Sequence, residues 1–441
     1  MNPSLPPIDE THDPAATSWV DSAHGHPDFP VQNLPLGRFA LNDGLPRTGM
    51  AIGDQTLDLQ AVVGLGLLEG QALRAAEQAL QTPISLSAAA RLALRRGVFE
   101  LLRVGGRGAE QARARQAELL HAQAQCTMQL PAQIGNFTDF NAGIHHTRNG
   151  RQMRGDGGGS LPRNYHHVPI AYHARASSVR PSGTPVRRPL GQTLPPGQET
   201  PVFGPVQRLD IELELGVWVA RGNPLGTPIA IEDAADHIAG YCLLNDWSSR
   251  DVMAWEMDRL GPFLGKNFAT TISTWVISPE ALAPFRDAAH ARAPQDQPLP
   301  YLLCPQDQQQ GGLALQLAVD MRTAQQRAQG VPLQRVVSTS AEYLYWTPAQ
   351  MLCHHASNGC NLVPGDLLGT GTISGPVHHM FGSFRELSRV GTEPFAVGDA
   401  QRCWAEDGDE IALSAWAQGQ GFARIGFGDC RAQVLPAPAL P

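Results

Sequence analysis

The stretch Leu209–Val219, with the sequence LDIELELGVWV, decides which kind of fold the chain adopts. Its odd positions are all apolar, and its even positions are Asp210, Glu212, Glu214, Gly216 and Trp218. A repeat of two residues is typical of a β-strand, whose side chains point alternately to opposite faces. The carboxylates of Glu212 and Glu214 are therefore expected on one face, about 6.6–7 Å apart along the strand.

That shared face has two interpretations. The first is a solvated polar surface, which is common for half-buried strands. The second is a covered face, because Trp218 shares it and Gly216 leaves room for another group to approach the backbone. Like charges on a covered face repel each other unless a cation lies between them. The second interpretation therefore predicts a cation site.

A hard cation needs more ligands than two glutamates supply, because Ca2+ takes about six to eight oxygens and Mg2+ about six. Two aspartates are the best further candidates. Asp139 lies in the segment FTDFNAGIHHTRNG, and Asp246 follows YCLLN, an apolar run typical of a buried strand. Four carboxylates from three segments would bind Ca2+ or Mg2+. Their convergence is a hypothesis, because they lie far apart in sequence.

The segment Phe137–Gly150 reads as a loop that carries Asp139, His145, His146 and Arg148. A histidine held by a carboxylate is a common general base. Residue types alone leave open which of the two histidines would act. They favour Arg148 as a surface charge rather than a substrate contact.

Lys266 is the single lysine among 33 basic residues, the other 32 being arginine. Codon bias towards arginine explains why arginine is so common, but it does not explain why lysine is kept at position 266. Lysine is a compact point charge whose pKa can shift on burial, a property that arginine lacks. The exception in LGPFLGKNFATTIS therefore marks Lys266 as a candidate functional residue.

The composition excludes several classes of protein. The formal net charge is -8 and no basic stripe is present, so nucleic acid is not an expected partner. No apolar run approaches the ~18 residues of a membrane span, and the N-terminal sequence lacks the pattern of a signal peptide. Seven scattered cysteines fit a reducing compartment. We expect a cytoplasmic protein with a small-molecule substrate.

The texture of the sequence changes along the chain. Residues 1–34, rich in proline and acidic residues, are expected to form an extended arm. Residues 35–130 combine short strands with helices over 70–125 and form a small N-terminal domain. Residues 131–441 form a catalytic domain of short strands with few helices, a barrel-like or sandwich core. Residues 284–312 are predicted to be a long surface excursion.

Eight segments over residues 131–390 resemble the fumarylacetoacetate hydrolase family, and they occur in that family's order. They are IGNFTDF, VPIAYHARASSV, SGTPVRRPLGQ, LDIELELG, NDWSSRD, LGPFLGKNFATTIS, NGCNLVPGDLLGTGTISGP and GSFRELS. GRFALNDGLPRTGMAIGDQTLDL also resembles the N-terminal domain of the long, two-domain members. The resemblance implies a mainly β protein, with a small SH3-like β and helical domain before a large mixed β-sandwich or barrel-like domain. It also implies a homodimer.

The resemblance assigns roles to individual residues. The metal, Ca2+ or Mg2+, falls on Asp139, Glu212, Glu214 and Asp246, with Lys266 and Thr270 beside it. The catalytic group comprises His146 as base, Glu386 as its orienting partner, and Arg250 and Lys266 as oxyanion donors. The matched substrate contacts are Arg154, Tyr172 and Thr372. Three further substrate positions depart from the family pattern, namely Asn141 and Met257 in place of tyrosines and Met253 in place of a glutamine.

The implied reaction is metal-dependent hydrolysis of a carbon–carbon bond in a 1,3-diketo acid. The expected substrate is 4-fumarylacetoacetate, cleaved to fumarate and acetoacetate in tyrosine and phenylalanine catabolism. Because three substrate positions depart from the pattern, a related acyl-acetoacetate or acylpyruvate hydrolase, or a decarboxylase, is the alternative. A non-catalytic metal-binding protein is a second alternative of a different class.

Overall fold

The computed structural model describes residues 5–42, 44–155, 159–257 and 260–440. Its N-terminal part is an antiparallel sheet of five strands flanked by helices. Strands β1 to β5 are Leu36–Leu41, Arg47–Ile52, Gln55–Asp58, Leu120–Ala122 and Cys126–Gln129. Helices α1 to α5 are Leu59–Gly64, Gly70–Gln81, Ala88–Leu102, Ala109–Ala114 and Gln116–Leu119. The strand order is β4-β3-β2-β1-β5, which fits the expected β and helical mixture.

Helices α1 and α3 begin where the sequence supplies a side-chain cap. The Asp58 carboxylate accepts the backbone N–H groups of Gln60 and Ala61 at the start of α1, and the Ser87 hydroxyl caps α3. The helical region predicted to reach residue 125 ends early, because the chain from Leu120 pairs with β3 as an edge strand. Tertiary pairing thus overrides the helical propensity of that stretch.

The segment before β1, expected to be an extended arm, is packed into the N-terminal part. Within its described residues, 5–35, the helical structure is two single-turn 3-10 helices at Glu10–His12 and Asp21–Ala23. Trp19 and Val20 are buried in the N-terminal hydrophobic core, and the Arg95 guanidinium holds backbone carbonyls of the segment. Burial of these apolar side chains fixes the segment in place.

The remaining chain is mainly β. Strands β6 to β15 are Phe137–Phe140, Ala171–Ala174, Val179–Pro181, Val186–Arg187, Leu190–Thr193, Val202–Pro205, Leu209–Asp210, Leu213–Val219, Ile238–Asp246 and Ser248–Ser249. Strands β16 to β25 are Thr270–Ile272, Arg286–Asp287, Gly312–Leu313, Leu315–Arg322, Gln334–Ser340, Leu367–Gly369, Phe395–Val397, Ala400–Arg402, Glu410–Ala417 and Ile425–Leu435. Helices α6 to α11 are Ile144–Arg154, Arg250–Glu256, Pro305–Gln310, Ala324–Ala328, Pro348–Ala356 and Phe384–Leu387.

Two sheets form the centre of this part. The first has the order β7-β6-β21-β13-β14-β16-β8, with parallel pairs at β6–β21 and β16–β8. The second has the order β20-β19-β24-β25-β9, and β14 contacts its strands β24 and β25. Side chains of both sheets, including Leu243 and Leu413, share one hydrophobic core. This agrees with the predicted mixed sandwich or barrel-like domain.

The predicted single strand Leu209–Val219 is two strands. The chain leaves strand geometry at Ile211 and Glu212, between β12 and β13, because the Asp210 carboxylate accepts the backbone N–H of Ile211. Both faces of β13 are buried, so the solvated-face interpretation is wrong. Gly216 does mark a close approach: a Cβ there would lie 2.7 Å from the Cys242 sulfur of β14.

Residues 284–312, predicted as a surface excursion, are anchored to the fold. The stretch contains β17, α8 and the start of β18, and Leu302 is fully buried. The Arg292 guanidinium stacks on the rings of Tyr345 and Trp346, at 3.8 and 4.0 Å from their centres. Most of the stretch is exposed or half-buried, as a surface excursion should be, and Leu302 and Arg292 anchor it to the fold.

Candidate active site

Four carboxylates meet where neighbouring strands of the seven-stranded sheet end. Asp139 lies on β6, Glu214 on β13 and Asp246 at the end of β14, while Glu212 directly precedes β13. One oxygen from each lies within 4.8 Å of the others, and all four residues are buried. We name these four residues the carboxylate cluster. The convergence expected from the sequence is thus confirmed.

The cluster holds more negative charge than its own contacts neutralise. Burial, reinforced by the charges of Asp246 and Glu212, raises the pKa of Asp139 to about 8. Burial and the neighbouring carboxylates also hold the pKa of Glu214 well above its usual range. Asp139 Oδ1 and Glu214 Oε1 are buried without a hydrogen-bond partner among the described residues. Oxygens left unpaired in a buried acidic cluster fit a bound cation.

Two backbone features shape the cluster. A Cβ at Gly369 would lie 2.5 Å from Asp139 Oδ1 and 2.9 Å from Glu214 Oε2, so only glycine fits beneath the carboxylates. The backbone N–H of Gly371 donates to Glu214 Oε2 over 3.0 Å. The bend after β21 thereby leaves the second oxygen of Glu214 directed at its acidic neighbours.

Three further side chains expected at the site contact the cluster directly. The Lys266 ammonium donates to Glu212 and, over 2.7 Å, to Asp246 Oδ2. The hydroxyls of Tyr172 and Thr270 donate to the two oxygens of Asp246 over 2.8 and 3.1 Å. Burial acts to raise the pKa of Glu212, but the charges of Lys266 and Arg250 outweigh it and hold the pKa well below its usual range. Glu212 therefore stays ionised.

His146 lies in the first turn of α6, so the segment predicted as a loop is a strand followed by a helix. Its Nδ1 is 2.7 Å from Glu386 Oε2. Because an ionised carboxylate only accepts hydrogen bonds, Nδ1 carries a hydrogen, so in the neutral ring Nε2 is the nitrogen with the free lone pair. Nε2 faces the cluster, 3.8 Å from Glu212 Oε1. His145 instead packs edge-on against the ring of Tyr343.

Glu386 is fully enclosed by donors. Besides His146 it accepts hydrogen bonds from Asn149, Ser374 and Ser383, at 2.7–2.9 Å. Burial acts to raise the pKa of Glu386, but His146 and these hydrogen bonds hold it below its usual range. The sequence had not marked the three donors, whose positions depend on α6 and α11 packing together.

Arg250 links the cluster to a fifth carboxylate that the sequence analysis had not singled out. Its guanidinium donates to Asp210 Oδ2 over 2.7 Å and to Glu212 Oε1 over 2.6 Å. Asp210 is fully buried and also accepts the backbone N–H of Phe384 over 2.7 Å. Asp210 lies on the even positions of LDIELELG, so the same alternation that marked the glutamates could have marked it.

A cavity of about 460 Å³ opens onto these groups. The expected residues that line it are Asn141, His146, Arg154, Tyr172, Arg250, Met253, Met257, Lys266 and Thr372, together with Asp139, Glu212 and Glu214. Asp246, Thr270 and Glu386 are not among its lining residues and act through the residues that they contact. Met253 faces Arg250, whose Nη1 lies 3.8 Å from its sulfur. The Asn141 side chain accepts a hydrogen bond from Thr147.

Two protein-family models match this chain. A family model described as fumarylacetoacetate (FAA) hydrolase C-terminal matches residues 137–435, and one described as fumarylacetoacetase N-terminal matches residues 32–131. The chain belongs to the fumarylacetoacetate hydrolase family. The family's two parts correspond to the N-terminal sheet and the β-rich remainder described above.

Several curated relatives span nearly the whole chain. Fumarylacetoacetase of Homo sapiens is 43% identical over 422 residues, covering 93% of this chain and 97% of that protein. The protein of the same name from Bos taurus is 44% identical over 421 residues, with the same coverage. That from Arabidopsis thaliana is 41% identical over 418 residues, covering 93% and 96%.

Among solved structures, a crystal structure of Cg1458 with inhibitor has a TM-score of 0.50. It is 13% identical to this chain and covers 92% of it and 100% of its own chain. At that identity the likeness supports the fold alone. In the part of the chain that the structure describes, no helix combines the length and apolarity needed to cross a membrane.

Proposed function

We propose that this chain is a fumarylacetoacetase, which hydrolyses the carbon–carbon bond of 4-fumarylacetoacetate to give fumarate and acetoacetate. The observation that carries the proposal is the position of His146, whose Nε2 faces a buried cluster of four carboxylates while Glu386 holds its Nδ1. The relatives named fumarylacetoacetase, at 41–44% identity, support the same reaction.

We assign a Ca2+ or Mg2+ ion to the carboxylate cluster. All four side chains offer oxygen ligands, the donor type that these hard cations prefer over zinc or copper. The two unpartnered buried oxygens, on Asp139 and Glu214, fit that assignment. When bound, the ion would supply a Lewis acid for the diketone oxygens and for the leaving enolate. Lys266 and Thr270 hold Asp246 in position beside it.

His146 serves as the general base. Its neutral Nε2 takes a proton from the attacking water, and the oxygen adds to the carbonyl carbon. Glu386 stabilises the imidazolium that forms, because its carboxylate stays ionised and accepts from Nδ1. The proton is then available to the carbon atom that leaves as the enolate of acetoacetate.

Arg250 and Lys266 stabilise the oxyanion formed by that addition. Each keeps donor capacity beyond its carboxylate contacts. Lys266 uses two of its three N–H bonds on carboxylates. Arg250 bonds the carboxylates through Nε and Nη2, and among the described residues its Nη1 donates to no carboxylate. Loss of one such donor typically costs about 3–4 kcal/mol of transition-state stabilisation.

The remaining cavity residues bind the substrate in this proposal. Arg154, Tyr172 and Thr372 are polar groups able to hold its oxygen atoms. Met253 and Met257 supply apolar wall beside them, and Asn141 completes the lining. An apolar wall discriminates weakly between similar acyl groups, so related acyl-acetoacetates are the substrates to compare.

The cellular setting is also a proposal. We place the reaction at the end of tyrosine and phenylalanine catabolism, in the cytoplasm, with a homodimer as the working assembly. The division into an arm over 1–34, a small domain over 35–130 and a catalytic domain over 131–441 stays a prediction.

The test is a substrate panel on metal-reconstituted protein. Hydrolysis is followed by the loss of diketone absorbance for fumarylacetoacetate, an acyl-acetoacetate and an acylpyruvate, with Mg2+, with Ca2+ and after chelation. We expect metal-dependent turnover with preference for fumarylacetoacetate. Full activity in the chelated protein would exclude the metal role, and preference for acylpyruvates would exclude the proposed substrate.

The two adjacent histidines provide a matched pair of variants. His146→Ala is expected to lower kcat by about 100-fold or more, since general base catalysis contributes about 10²–10⁴-fold. His145→Ala should stay within a factor of a few, because that ring packs against Tyr343 outside the proposed chemistry. Equal effects of the two substitutions would contradict the assignment of the base.

A further inference from the structure

Arg385, in α11, directs a guanidinium group into the active-site cavity. Its side chain shares the cavity lining with Arg154 and Arg250. A Cβ built on Gly150 would lie 3.7 Å from Arg154 Nη1 and 3.9 Å from Arg385 Nη1. Two guanidinium groups therefore approach the same point at the last turns of α6.

Arg250 and Arg385 differ in how their positive charges are balanced. Arg250 is paired with two buried carboxylates, Asp210 and Glu212. Among the residues that the structure describes, no carboxylate lies within ion-pair distance of Arg385, and its side chain makes no hydrogen bond. Burial, followed by the charges of Arg250 and Arg154, lowers the pKa of Arg385 to about 10. The cation is thus held in an environment that disfavours it.

The two carboxylates whose charges act on Arg385 are already hydrogen-bonded to other groups. Glu386 is occupied by His146, Asn149 and two serines. Asp210 is occupied by Arg250 and by the backbone N–H groups of Phe384 and Arg385. These hydrogen bonds also tie the backbone of α11, which carries Arg385, to the proposed base His146 and the proposed oxyanion donor Arg250. An anion bound by Arg385 would therefore be held at a fixed position relative to the reacting atoms.

We propose that Arg385 is a specificity-determining residue that binds one carboxylate of the substrate in this cavity. A guanidinium matches a carboxylate with two parallel hydrogen bonds, and the partly buried position strengthens such a pair. The proposal rests on the diketo acid hydrolase function above and deepens it: the preferred substrate carries a carboxylate at the end that reaches Arg385.

The test uses Arg385→Met, Arg385→Lys and the control Arg389→Met, whose side chain is 62% exposed and pairs with Glu393. Each is assayed with fumarylacetoacetate and with two monoacids: fumarylacetone, which lacks the carboxylate of the acetoacetate side, and 3,5-dioxohexanoate, which lacks that of the fumaryl side. Thermal unfolding and circular dichroism establish that each variant is folded.

We expect Arg385→Met to lower kcat/KM by about 10- to 100-fold for fumarylacetoacetate and for one monoacid, as for loss of a charged hydrogen bond, and to leave the other monoacid within a factor of three. Arg385→Lys should fall between, because it keeps the charge without the planar fork. Equal losses for both monoacids, or no loss for the diacid, would overturn the proposal.

Calorimetric titration of the Mg2+-loaded protein with fumarate and with acetoacetate separates this proposal from the proposed reaction. If the native protein turns over no diketo acid, the reaction fails but the anion subsite is still supported when one anion binds and Arg385→Met weakens it at least tenfold. Equal affinity in the native and Arg385→Met proteins, or no binding of either anion to the native protein, overturns the subsite.

Discussion

Two buried groups of charged side chains in this molecule differ in how completely hydrogen bonds satisfy their polar atoms. The first is the arginine–Glu280 cluster, formed by Arg91 and Arg95 of α3 with Glu280. Arg91 Nε lies 3.1 Å from both oxygens of Glu280, and Arg95 donates to Thr11 and to the carbonyls of Gln32 and Asn33.

The second is the carboxylate cluster, in which two buried oxygens have no described partner. A fully satisfied network rigidifies the contact between the N-terminal part and the β-rich part. The carboxylate cluster leaves two buried oxygens available to a ligand, as expected of a binding site. The comparison therefore predicts opposite effects of neutralising one carboxylate in each group.

Asp139→Asn is expected to have the largest effect on activity. Loss of one anionic ligand should reduce turnover by about 1,000-fold or more, given the several kcal/mol that metal catalysis supplies. Because burial raises the pKa of Asp139 to about 8, the metal-free protein must take up a proton there when it folds at neutral pH. Asparagine needs no proton, so the unfolding free energy of the metal-free variant should rise by about 2 kcal/mol. Chemical denaturation after chelation measures it, with exposed Asp233→Asn as control. A destabilised metal-free variant would contradict the comparison.

Glu280→Gln should act in the opposite sense. It leaves the buried Arg91 without its counter-charge, and breaking such a pair costs about 3–5 kcal/mol of unfolding free energy. The kcat of the folded fraction should stay unchanged, because the pair lies outside the cavity. Replacing both partners, as in Arg91→Met with Glu280→Leu, is expected to recover much of the loss. A fall in kcat without a fall in stability would show that this cluster is also functional.

Lys266→Arg tests the ammonium group that bridges Glu212 and Asp246 of the carboxylate cluster. The larger, planar guanidinium cannot occupy the position of the ammonium between Glu212 and Asp246, so turnover should drop at least about tenfold in a folded protein. Steady-state kinetics measure the turnover, and a thermal melt establishes that the variant is folded. Near-native turnover would refute the inference from the lone lysine.

Asp307 offers the smallest effect, and it depends on pH. Burial raises the pKa of Asp307 to about 6, against the hydrogen bond from Thr347. A raised carboxyl pKa means that the native state binds a proton that the unfolded state has lost. Stability therefore falls as pH rises from about 4 to 6.

Asp307→Asn removes that pH dependence. The unfolding free energy of the variant, relative to the native chain, should therefore be about 1–3 kcal/mol higher at pH 7 than at pH 4. Denaturant unfolding at both values measures the difference. A constant difference across that range would show that Asp307 keeps an ordinary pKa.

Local patterns predicted the four carboxylates and marked Lys266, whereas the roles of His146, Glu386 and Arg250 came from the family resemblance. Strand alternation marked Glu212 and Glu214, and the end of an apolar run marked Asp246. The break at Ile211 was not predictable from alternation, because it depends on the Asp210 carboxylate turning back to the backbone. The position of Arg385 in the cavity was not predictable either, because the direction of a side chain in GSFRELS depends on how α11 packs.

The long-range pairing of β6 with β21 has a consequence for how the protein comes into being. These strands are parallel, with Asp139 opposite Gly369, and beside them Asn136 bonds Asp366, 230 residues further along the chain. Such contacts form slowly, because a long intervening loop must close first. A ribosome extends the chain from its N-terminus, so Asp139 emerges long before Gly369. Because β21 lies between β6 and β13, the proposed cation site reaches the geometry described here only after the C-terminal third has been synthesised and has folded.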